Sequence, residues 1–383
     1  MKKIKFNSKK VLTNLSQVAA VVGQKNTMPI LSNVKLETID NPFAGILMMI
    51  TASDSETWIS EMVDIDGDTG VNVCVDASDL LKGLRNLDDV QVEMEIDEDT
   101  KNVTCRYENG YFSLSYCDSN EFPKNAFSYA NATSYTIDSK KLLSFISSVG
   151  FAVNDDELRP VFNSIHFDFF ANKLVVVATD GQRLAKITDD TFSSENELKS
   201  FNLPTRPANL LLPILATLPD GDKDITCEFN ENAITFQGNG FNLTTRLIEG
   251  RYPNYDSVIP TSFNNTAIVN KKSIISSIKR VSPMGDMQSE LIKLNFGFGE
   301  IIISAENVDF CKKAKETLEC NYDGLQELEI GFKSSHLLQS LQNIDSDEIE
   351  IKLIAHDRAC VLEPHTKIEH IEYKYLLMPL LIV

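Results

Sequence analysis

The 383-residue sequence lacks any hydrophobic run of the roughly 18 residues that a membrane span requires. Its first six residues, MKKIKF, carry three lysines and no apolar stretch of the kind found in a signal peptide. From these two absences we expect a cytoplasmic protein that does not contact a membrane.

Metal-ligand and disulfide patterns are also missing. The seven cysteines are an odd number and include no C-x-x-C pair, and the five histidines show no H-E-x-x-H spacing. We therefore expect reduced thiols packed in a core, and neither a metal nor any other cofactor.

Positive charge is scarce. Lys and Arg number 36 against 55 Asp and Glu, which gives a net charge of −19. Such a surface repels nucleic acid, because neutralising phosphates requires clustered basic side chains. Composition alone thus argues against DNA binding. The length and the 43% hydrophobic content predict two or three folded domains.

Catalytic signatures are absent as well: there is no phosphate loop, no G-x-G-x-x-G and no G-x-S-x-G. The segment Thr179–Arg183 has an alternative catalytic interpretation, with Asp180 as a base and Arg183 as an anion clamp. A turn closed by Asp180 before Gly181 explains the same residues better. We predict that the protein is not an enzyme.

The sequence does contain a threefold internal repeat. Strand-like runs end in the small-residue turns TASD (51–54), VATD (177–180) and SAEN (304–307), which are 126 and 127 residues apart (180 − 54 and 307 − 180). Lysine pairs recur every 131 residues at Lys9-Lys10, Lys140-Lys141 and Lys271-Lys272. Each repeat therefore opens in the same way.

Hydrophobic periodicity assigns secondary structure to each repeat. Alternation predicts strands at 31–36, 162–167, 290–296, 90–96 and 348–353. Amphipathic helices are predicted at 10–22, 77–87, 140–149, 206–218, 271–281 and 334–344. The predicted fold class is α+β, with three repeated domains of two helices on antiparallel sheet. The domain boundaries are predicted at 1–125, 126–260 and 261–383.

Six segments resemble the signatures of one family, the bacterial sliding clamps (the beta subunit of the replicative DNA polymerase). They are TMPILSN (27–33), FSLS (112–115), LRPVFNS (158–164), VATDGQRLA (177–185), RLIEGRYPNYDSVIP (246–260) and YLLMP (375–379). The resemblance covers essentially the whole chain. It implies a clamp fold of three domains and a head-to-tail homodimer that closes into a ring around duplex DNA without sequence specificity.

The implied ring has a testable bore. Twelve helices about 9 Å apart form a circle of about 34 Å, which leaves a bore of about 24 Å after subtracting helix radii. A duplex fits, whereas six helices from one subunit leave only about 7 Å. A closed ring is retained by topology and needs only weak contacts, so a net charge of −19 is compatible with it.

The resemblance also implies which basic residues face DNA. It supports Lys25 and Arg206 most directly, and the helix positions extend the set; a solvated helix face remains the alternative for each. The further candidates are Lys10, Lys82, Arg85, Lys140, Lys271, Lys272, Lys279 and Arg280.

By the same resemblance, a groove between the middle and C-terminal domains receives short hydrophobic peptides from partner proteins. Glycine allows close approach of a partner backbone, and methionine repacks around different anchors. Ordinary core packing is the alternative for the tail, which here ends in six apolar residues. The implied groove residues are Phe162, Thr179, Gly181, Arg183, Leu184, Pro253, Val258, Leu376, Met378, Pro379 and Leu380.

The implied subunit contact joins Phe112 and Leu114, on an edge strand of the first domain, to the partner's third domain near Pro283 and Met284. A buried core strand is the alternative. The expected function is a processivity factor that tethers the replicative polymerase, the clamp loader and other proteins with a clamp-binding motif. An acidic, non-catalytic scaffold that does not load on DNA is the competing hypothesis.

Overall fold

The structure is a computed structural model that describes residues 1–23, 28–43, 45–125, 127, 131–154, 158–194, 198–219, 221 and 223–382. In the first third of the chain the elements are β1 (Lys2–Asn7), α1 (Ser8–Ala19), β2 (Asn33–Asn41), β3 (Gly45–Ser53), β4 (Thr57–Asp64), β5 (Asp66–Gly67), β6 (Asn72–Asp76), α2 (Ala77–Arg85), β7 (Gln91–Asp97), β8 (Asn102–Tyr107) and β9 (Gly110–Asp118).

The middle third follows the same order, with four described strands instead of five between its two helices. It contains β10 (Thr133–Asp138), α3 (Ser139–Gly150), β11 (Ser164–Phe170), β12 (Lys173–Thr179), β13 (Arg183–Asp189), β14 (Phe201–Pro204), α4 (Thr205–Thr217), β15 (Asp224–Phe229), β16 (Ala233–Gly238) and β17 (Phe241–Arg246).

The last third repeats the order again. Its elements are β18 (Asn265–Asn270), α5 (Lys271–Val281), β19 (Leu291–Gly297), β20 (Glu300–Asn307), β21 (Lys312–Glu319), β22 (Asn321–Tyr322), β23 (Leu328–Lys333), α6 (Ser334–Gln342), β24 (Glu348–Leu353), β25 (Cys360–Pro364) and β26 (Ile371–Leu377). Short 3-10 turns occupy Pro29–Ser32, Ser119–Glu121, Pro160–Asn163, Asp256–Val258 and Ser282–Met284.

Each repeat starts with a strand that leads directly into a helix. The oxygen of an Asn or Asp side chain at the junction accepts hydrogen bonds from first-turn amides: Asn7 from Lys10 N, and Asn270 from Ser273 N. Asp138 accepts from the amides of Lys140 and Lys141 in the same way. These N-caps satisfy donors that have no partner within the helix. The 131-residue lysine repeat therefore marks a repeated strand-to-helix junction.

The structure divides into two compact units, one comprising 1–143 and 206–247 and the other 144–205 and 248–383. The first unit holds a 13-stranded sheet in the order β10-β15-β16-β17-β4-β3-β2-β6-β9-β8-β7-β1-β5. Within it β17 pairs with β4, and Asn242 lies opposite Ser60. Predicted first-domain and middle-domain strands thus share one sheet.

The second unit contains two sheets. One has nine strands in the order β14-β11-β12-β13-β26-β25-β24-β18-β22, and the other has four in the order β21-β20-β19-β23. Here β13 pairs with β26 along its whole length, from Arg183 opposite Leu377 to Asp189 opposite Ile371. A middle-domain strand and the C-terminal strand are therefore neighbours in one sheet.

The predicted α+β class and all six predicted helices are confirmed, with ends displaced by a few residues at most. The predicted strands are found as β2, β7, β11, β19 and β24, and the three small-residue turns lie at the ends of β3, β12 and β20. Every strand pair in the described chain is antiparallel. The three domain boundaries stay a prediction.

Five cysteines are buried, whereas Cys117 and Cys311 are exposed, so the expected core location fails for two of the seven. No group of ligating side chains suited to a metal ion occurs among the described residues. Within the same ranges, no helix has both the length and the hydropathy of a membrane span.

Candidate functional site

The C-terminal tail lies against the turn that joins β12 to β13. Beyond β26, the amide of Met378 donates to the carbonyl of Gln182 at 2.9 Å, and the amide of Leu380 donates to the carbonyl of Gly331 at 2.8 Å. A Cβ at Gly331 would lie 2.9 Å from the Leu380 carbonyl oxygen and 2.8 Å from the Leu291 side chain. Glycine is therefore needed at position 331 for the tail to approach β23.

The β12–β13 turn is closed by its own side chains. One carboxylate oxygen of Asp180 accepts from the amides of Gln182 and Arg183 at 2.8 and 2.9 Å, and Gly181 has φ +88°. The hydroxyl of Thr179 donates to the Arg183 carbonyl at 2.6 Å. Asp180 thus closes the turn, as the sequence indicated, and this geometry does not support a catalytic base.

Arg183 is buried and links the β12–β13 turn to neighbouring parts of the fold by hydrogen bonds. Its Nε donates to Asp180 at 2.9 Å, Nη2 donates to the Phe151 carbonyl at 2.7 Å, and Nη1 donates to Gln339. Burial lowers the pKa of the guanidinium, and the Asp180 carboxylate opposes that effect. With 8% of its surface exposed, Arg183 holds the turn in place and presents little of itself to a partner.

Two predicted groove residues, Leu184 and Leu376, lie opposite each other in the β13–β26 pair. They are only 2% and 3% exposed. They belong to a core cluster with Val175, Val177, Tyr252, Tyr255, Ala359 and Val361. They form the packed layer beneath the surface.

The loop after β17 carries Pro253 and Val258 and is tied to the sheet. The amide of Asn202 donates to the carbonyls of Ile248 and Gly250 at 3.1 and 2.9 Å. Asn202 also contacts His166 Nδ1 at 2.8 Å. Two further residues anchor the loop: Tyr252 stacks on His166 with ring centroids 4.5 Å apart, and the Tyr255 hydroxyl donates to Asp168 at 2.6 Å.

The anchored loop and the tail leave a discontinuous apolar surface. Val258 is 54% exposed and Met378 47% exposed, and Pro253 and Gly181 are also exposed. Phe162, Pro379 and Leu380 are half-buried. Exposed apolar side chains therefore lie above a packed layer, an arrangement that suits a short hydrophobic peptide.

The basic side chains that were predicted to face DNA differ in whether a carboxylate of the protein neutralises their charge. Arg280 makes two 2.7 Å hydrogen bonds to Glu316, and that contact lowers the pKa of Glu316 to about 2. Arg206 contacts Asp54 at 3.1 Å, and Lys82 contacts Asp79 at 3.0 Å.

The remaining basic candidates are exposed, except Lys271, which is half-buried and donates to the Gln342 and Ile344 carbonyls at the end of α6. Lys25 lies outside the described residues. Four of the exposed candidates form no ion pair with any described residue: Lys10, Arg85, Lys272 and Lys279.

The predicted subunit contact maps to a partly unpaired strand. From Gly110 to Ser115, β9 pairs with β8 alone among the described strands, and its pairing with β6 is confined to 116–118. Phe112 and Leu114 are half-buried on this strand. The ring of Phe112 covers Gly83 of α2, where a Cβ would lie 2.6 Å from it. The strand is neither fully buried nor covered on its second edge.

In the other unit, Pro283 and Met284 are exposed in a 3-10 turn after α5, with Met284 39% exposed. Among the described strands, β21 pairs only with β20, which leaves its other edge open there. Both predicted contact regions therefore lie at accessible sheet edges or turns.

The chain matches the three domain models of one protein family along most of its length. Residues 2–126 match the N-terminal domain, 136–254 the central domain and 256–380 the C-terminal domain of the DNA polymerase III beta subunit. The chain belongs to this family of bacterial sliding clamps. It is accordingly a DNA sliding clamp, a processivity factor of replication, and the matches do not favour the scaffold alternative.

Individual relatives support the same family. A beta sliding clamp of Staphylococcus epidermidis is 25% identical over 362 residues, covering 92% of this chain and 93% of that protein. A solved sliding clamp from Bartonella birtlesii bound to griselimycin aligns over 100% of both chains with a TM-score of 0.89 and 26% identity. A Bacillus subtilis clamp structure gives a TM-score of 0.87 at 21% identity over 100% of both chains.

Sequence reasoning missed the residues that hold the clamp's candidate groove together. No sequence pattern assigns a role to His166, Asn202, Gly331 or Gln339, and Tyr252 and Tyr255 occur only as part of the motif RLIEGRYPNYDSVIP. The sequence signal for these residues was weak. His166 is a polar residue within the alternating strand β11, and Gly331 is a glycine within the strand β23. Their partners are distant along the chain, so only strand pairing shows what they do.

Proposed function

We propose that this clamp works without catalysis in the cytoplasm, as a homodimer that closes around duplex DNA and tethers proteins through the surface beside its C-terminal tail. The observation that carries the proposal is the family match along all three repeats, from residue 2 to residue 380.

The tail surface would take a short peptide with apolar anchors. Met378 and Val258 are the exposed apolar side chains, and the fixed turn at Gly181 leaves room for a partner backbone. Each buried Leu-like anchor contributes about 1.5 to 3 kcal/mol, so two anchors less ordering costs imply micromolar binding of about −8 kcal/mol. Partners would therefore exchange rapidly. The replicative polymerase and the clamp loader are the partners that the family implies.

Met378 is the better residue for testing this groove, because Leu376 is 3% exposed and its truncation would open a cavity in the core. The Bartonella relative's ligand, griselimycin, supplies a ready small-molecule probe. Binding of griselimycin that competes with a polymerase-derived peptide, and that Met378→Ala weakens, would support the assignment. Unchanged affinity in that variant would refute it.

The subunit contact would form by strand addition. Residues 110–115 of β9 in one protomer and the free edge of β21 in its partner each present an unpaired row of backbone donors and acceptors. Half-buried Phe112 and Leu114 would add apolar contacts near the partner's Pro283 and Met284. Pairing of two such edges is a common route to association.

DNA would be held mainly by enclosure. Among the basic candidates on the helices, Lys10, Arg85, Lys272 and Lys279 are exposed and have no carboxylate partner among the described residues. Few phosphate contacts imply weak binding with a shallow salt dependence. Such contacts would allow sliding while topology prevents escape.

The first test is the solution mass by light scattering across a dilution series. A mass near twice 42.8 kDa supports the two-subunit ring. Loaded protein should then persist on nicked circular DNA and leave linear DNA rapidly. A persistent monomer, or equal loss from both substrates, would contradict ring closure.

A further inference from the structure

The first unit contains a groove remote in sequence from the tail surface. It is a cavity of about 650 Å³ on one face of the 13-stranded sheet, bordered by the segment Ser119–Asn125. Phe122 of that segment is 7% exposed and packs in a core cluster with Ile30, Leu31 and Cys74. The border of the groove is therefore anchored in the core.

The floor of the groove is a row of polar side chains. Lys35, Thr51, Ser60, Asn242 and Gln237 lie opposite one another on five successive strands, β2, β3, β4, β17 and β16. Four strand spacings make this row about 19 Å long. That length matches about six residues of extended peptide.

Apolar side chains lie on both sides of the row. Met49 and Met62 are cross-strand partners on one side, and Met62 is 42% exposed. On the other side lies Trp58, the single tryptophan of the chain, whose indole N–H donates to the Pro123 carbonyl at 3.4 Å. Tryptophan and methionine are enriched where proteins bind one another.

The charges of the lining are few and one is unpaired. The ammonium group of Lys35 is held by Glu37 at 2.7 Å. Lys124 is exposed and forms no ion pair with the part of the chain that the structure describes. An acidic group on the occupant would complement Lys124.

We propose that this groove binds an extended segment of a partner protein, about six residues long, with two consecutive apolar residues and an acidic residue at one end. Its backbone amides meet the row of hydroxyl and amide side chains. Successive side chains of an extended chain point to opposite sides. One apolar residue therefore contacts Met49 and Met62, and the next contacts Trp58.

A single-stranded nucleic acid is the less favoured occupant. The lining offers one unpaired lysine among the described residues, and of its three aromatic residues Phe122 and Phe241 are buried, which leaves Trp58. Nucleic-acid grooves instead follow the backbone with several cations and stack successive bases. The net charge of −19 further opposes a polyanion. A peptide with one acidic residue requires only one cation.

Trp58 provides the readout, because its fluorescence reports on this groove alone. The full-length protein is titrated with capped, Trp-free hexapeptides that carry Leu-Leu or Leu-Phe at positions 3 and 4, Asp at position 1 or 6, and Ser or Gly elsewhere. We expect a saturable change in the fluorescence of Trp58. Peptides with Ser in place of the apolar pair should give none.

Lys124→Glu should weaken binding about five- to tenfold, and replacing the peptide Asp by Lys should restore it in that variant. Lys367→Glu, an equal charge change at an exposed site in the other unit, should leave the affinity unchanged. Met378→Ala should also have no effect, since this groove is distinct from the tail surface.

Three results would overturn the proposal. The first is no saturable change up to about 1 mM, a Kd that corresponds to about −4 kcal/mol. The second is equal binding of the Ser-substituted peptides or an unchanged affinity in Lys124→Glu. The third is a fluorescence change with the oligonucleotide dT6 and none with the peptides.

Discussion

The buried carboxyl of Glu61 gives a prediction whose size follows from the structure. Glu61 lies on β4 beneath α1 and is 3% exposed. One carboxyl oxygen accepts a hydrogen bond from Asn14 at 2.8 Å, and the other is buried with no hydrogen-bond partner among the described residues. Burial raises the pKa of this carboxyl from 4.5 to about 8, and the Asn14 hydrogen bond only partly opposes it.

Because the pKa is higher in the folded than in the unfolded protein, the folded state retains a proton that the unfolded chain releases. The contribution of Glu61 to the free energy of unfolding is therefore full below pH 4.5 and is lost as the pH rises to about 8. At 1.36 kcal/mol per pKa unit, the full difference is at most about 5 kcal/mol, and partial opening to water reduces it. We expect an observed loss of about 2 to 5 kcal/mol.

Glu61→Gln removes the titration and keeps the shape. Its absolute stability depends on how well the new amide is satisfied, since a buried unpaired donor costs about 1 to 3 kcal/mol. The informative quantity is the pH dependence: urea unfolding between pH 4.5 and pH 9 should show a flatter free energy of unfolding than in the parent. The same change at the exposed Glu108 is the control. Parallel pH profiles for Glu61→Gln and the parent would refute a buried, protonated Glu61.

Three further predictions concern the exposed surfaces. Met378→Ala should weaken binding of a polymerase-derived peptide about 5- to 30-fold by calorimetry, while Leu325→Ala, at a side chain that is 90% exposed, should not; equal effects would exclude the tail groove. Leu114→Asp places a charge on the half-buried strand edge and should yield a folded monomer by light scattering and circular dichroism, whereas a dimer at micromolar concentration would remove that strand from the interface. Arg280→Ala should raise the pKa of Glu316 from about 2 toward 4.5 in a carboxyl NMR titration, and an unchanged pKa would show that the two 2.7 Å contacts do not persist in solution.

The helices and their spacing could be predicted from the sequence because capping residues and apolar periodicity lie within short segments of the chain. A helix start such as Asn270 and its first turn lie within four residues, so the capping oxygen and the apolar stripe occur in one short segment. The lysine pairs and small-residue turns repeat for the same reason. Family membership was also accessible, since its motifs extend along the whole chain.

The sequence did not predict whether each candidate side chain is exposed, buried or held in an ion pair. Arg280 lies on a helix that was expected to face DNA. Its guanidinium nevertheless donates hydrogen bonds to Glu316, which is 36 residues away on β21. Leu184 and Leu376 fit an apolar groove by composition, yet their register places both in the core. The sequence gives the type of each residue, whereas the exposure of its side chain depends on which strands pack beside it in the fold.

The amino-acid sequence by itself determined the three repeats, their six helices and the sliding-clamp family, because short-range periodicity, capping and motif spacing do not depend on distant contacts. Only the tertiary structure decided that Arg183 is buried and joins the turn to Phe151 and Gln339, that Glu61 is a buried carboxyl with a single hydrogen bond, and that a polar row crosses five strands beside Trp58. Each of these depends on strand register between residues far apart in the chain, and a shift of one residue would turn every side chain to the opposite face.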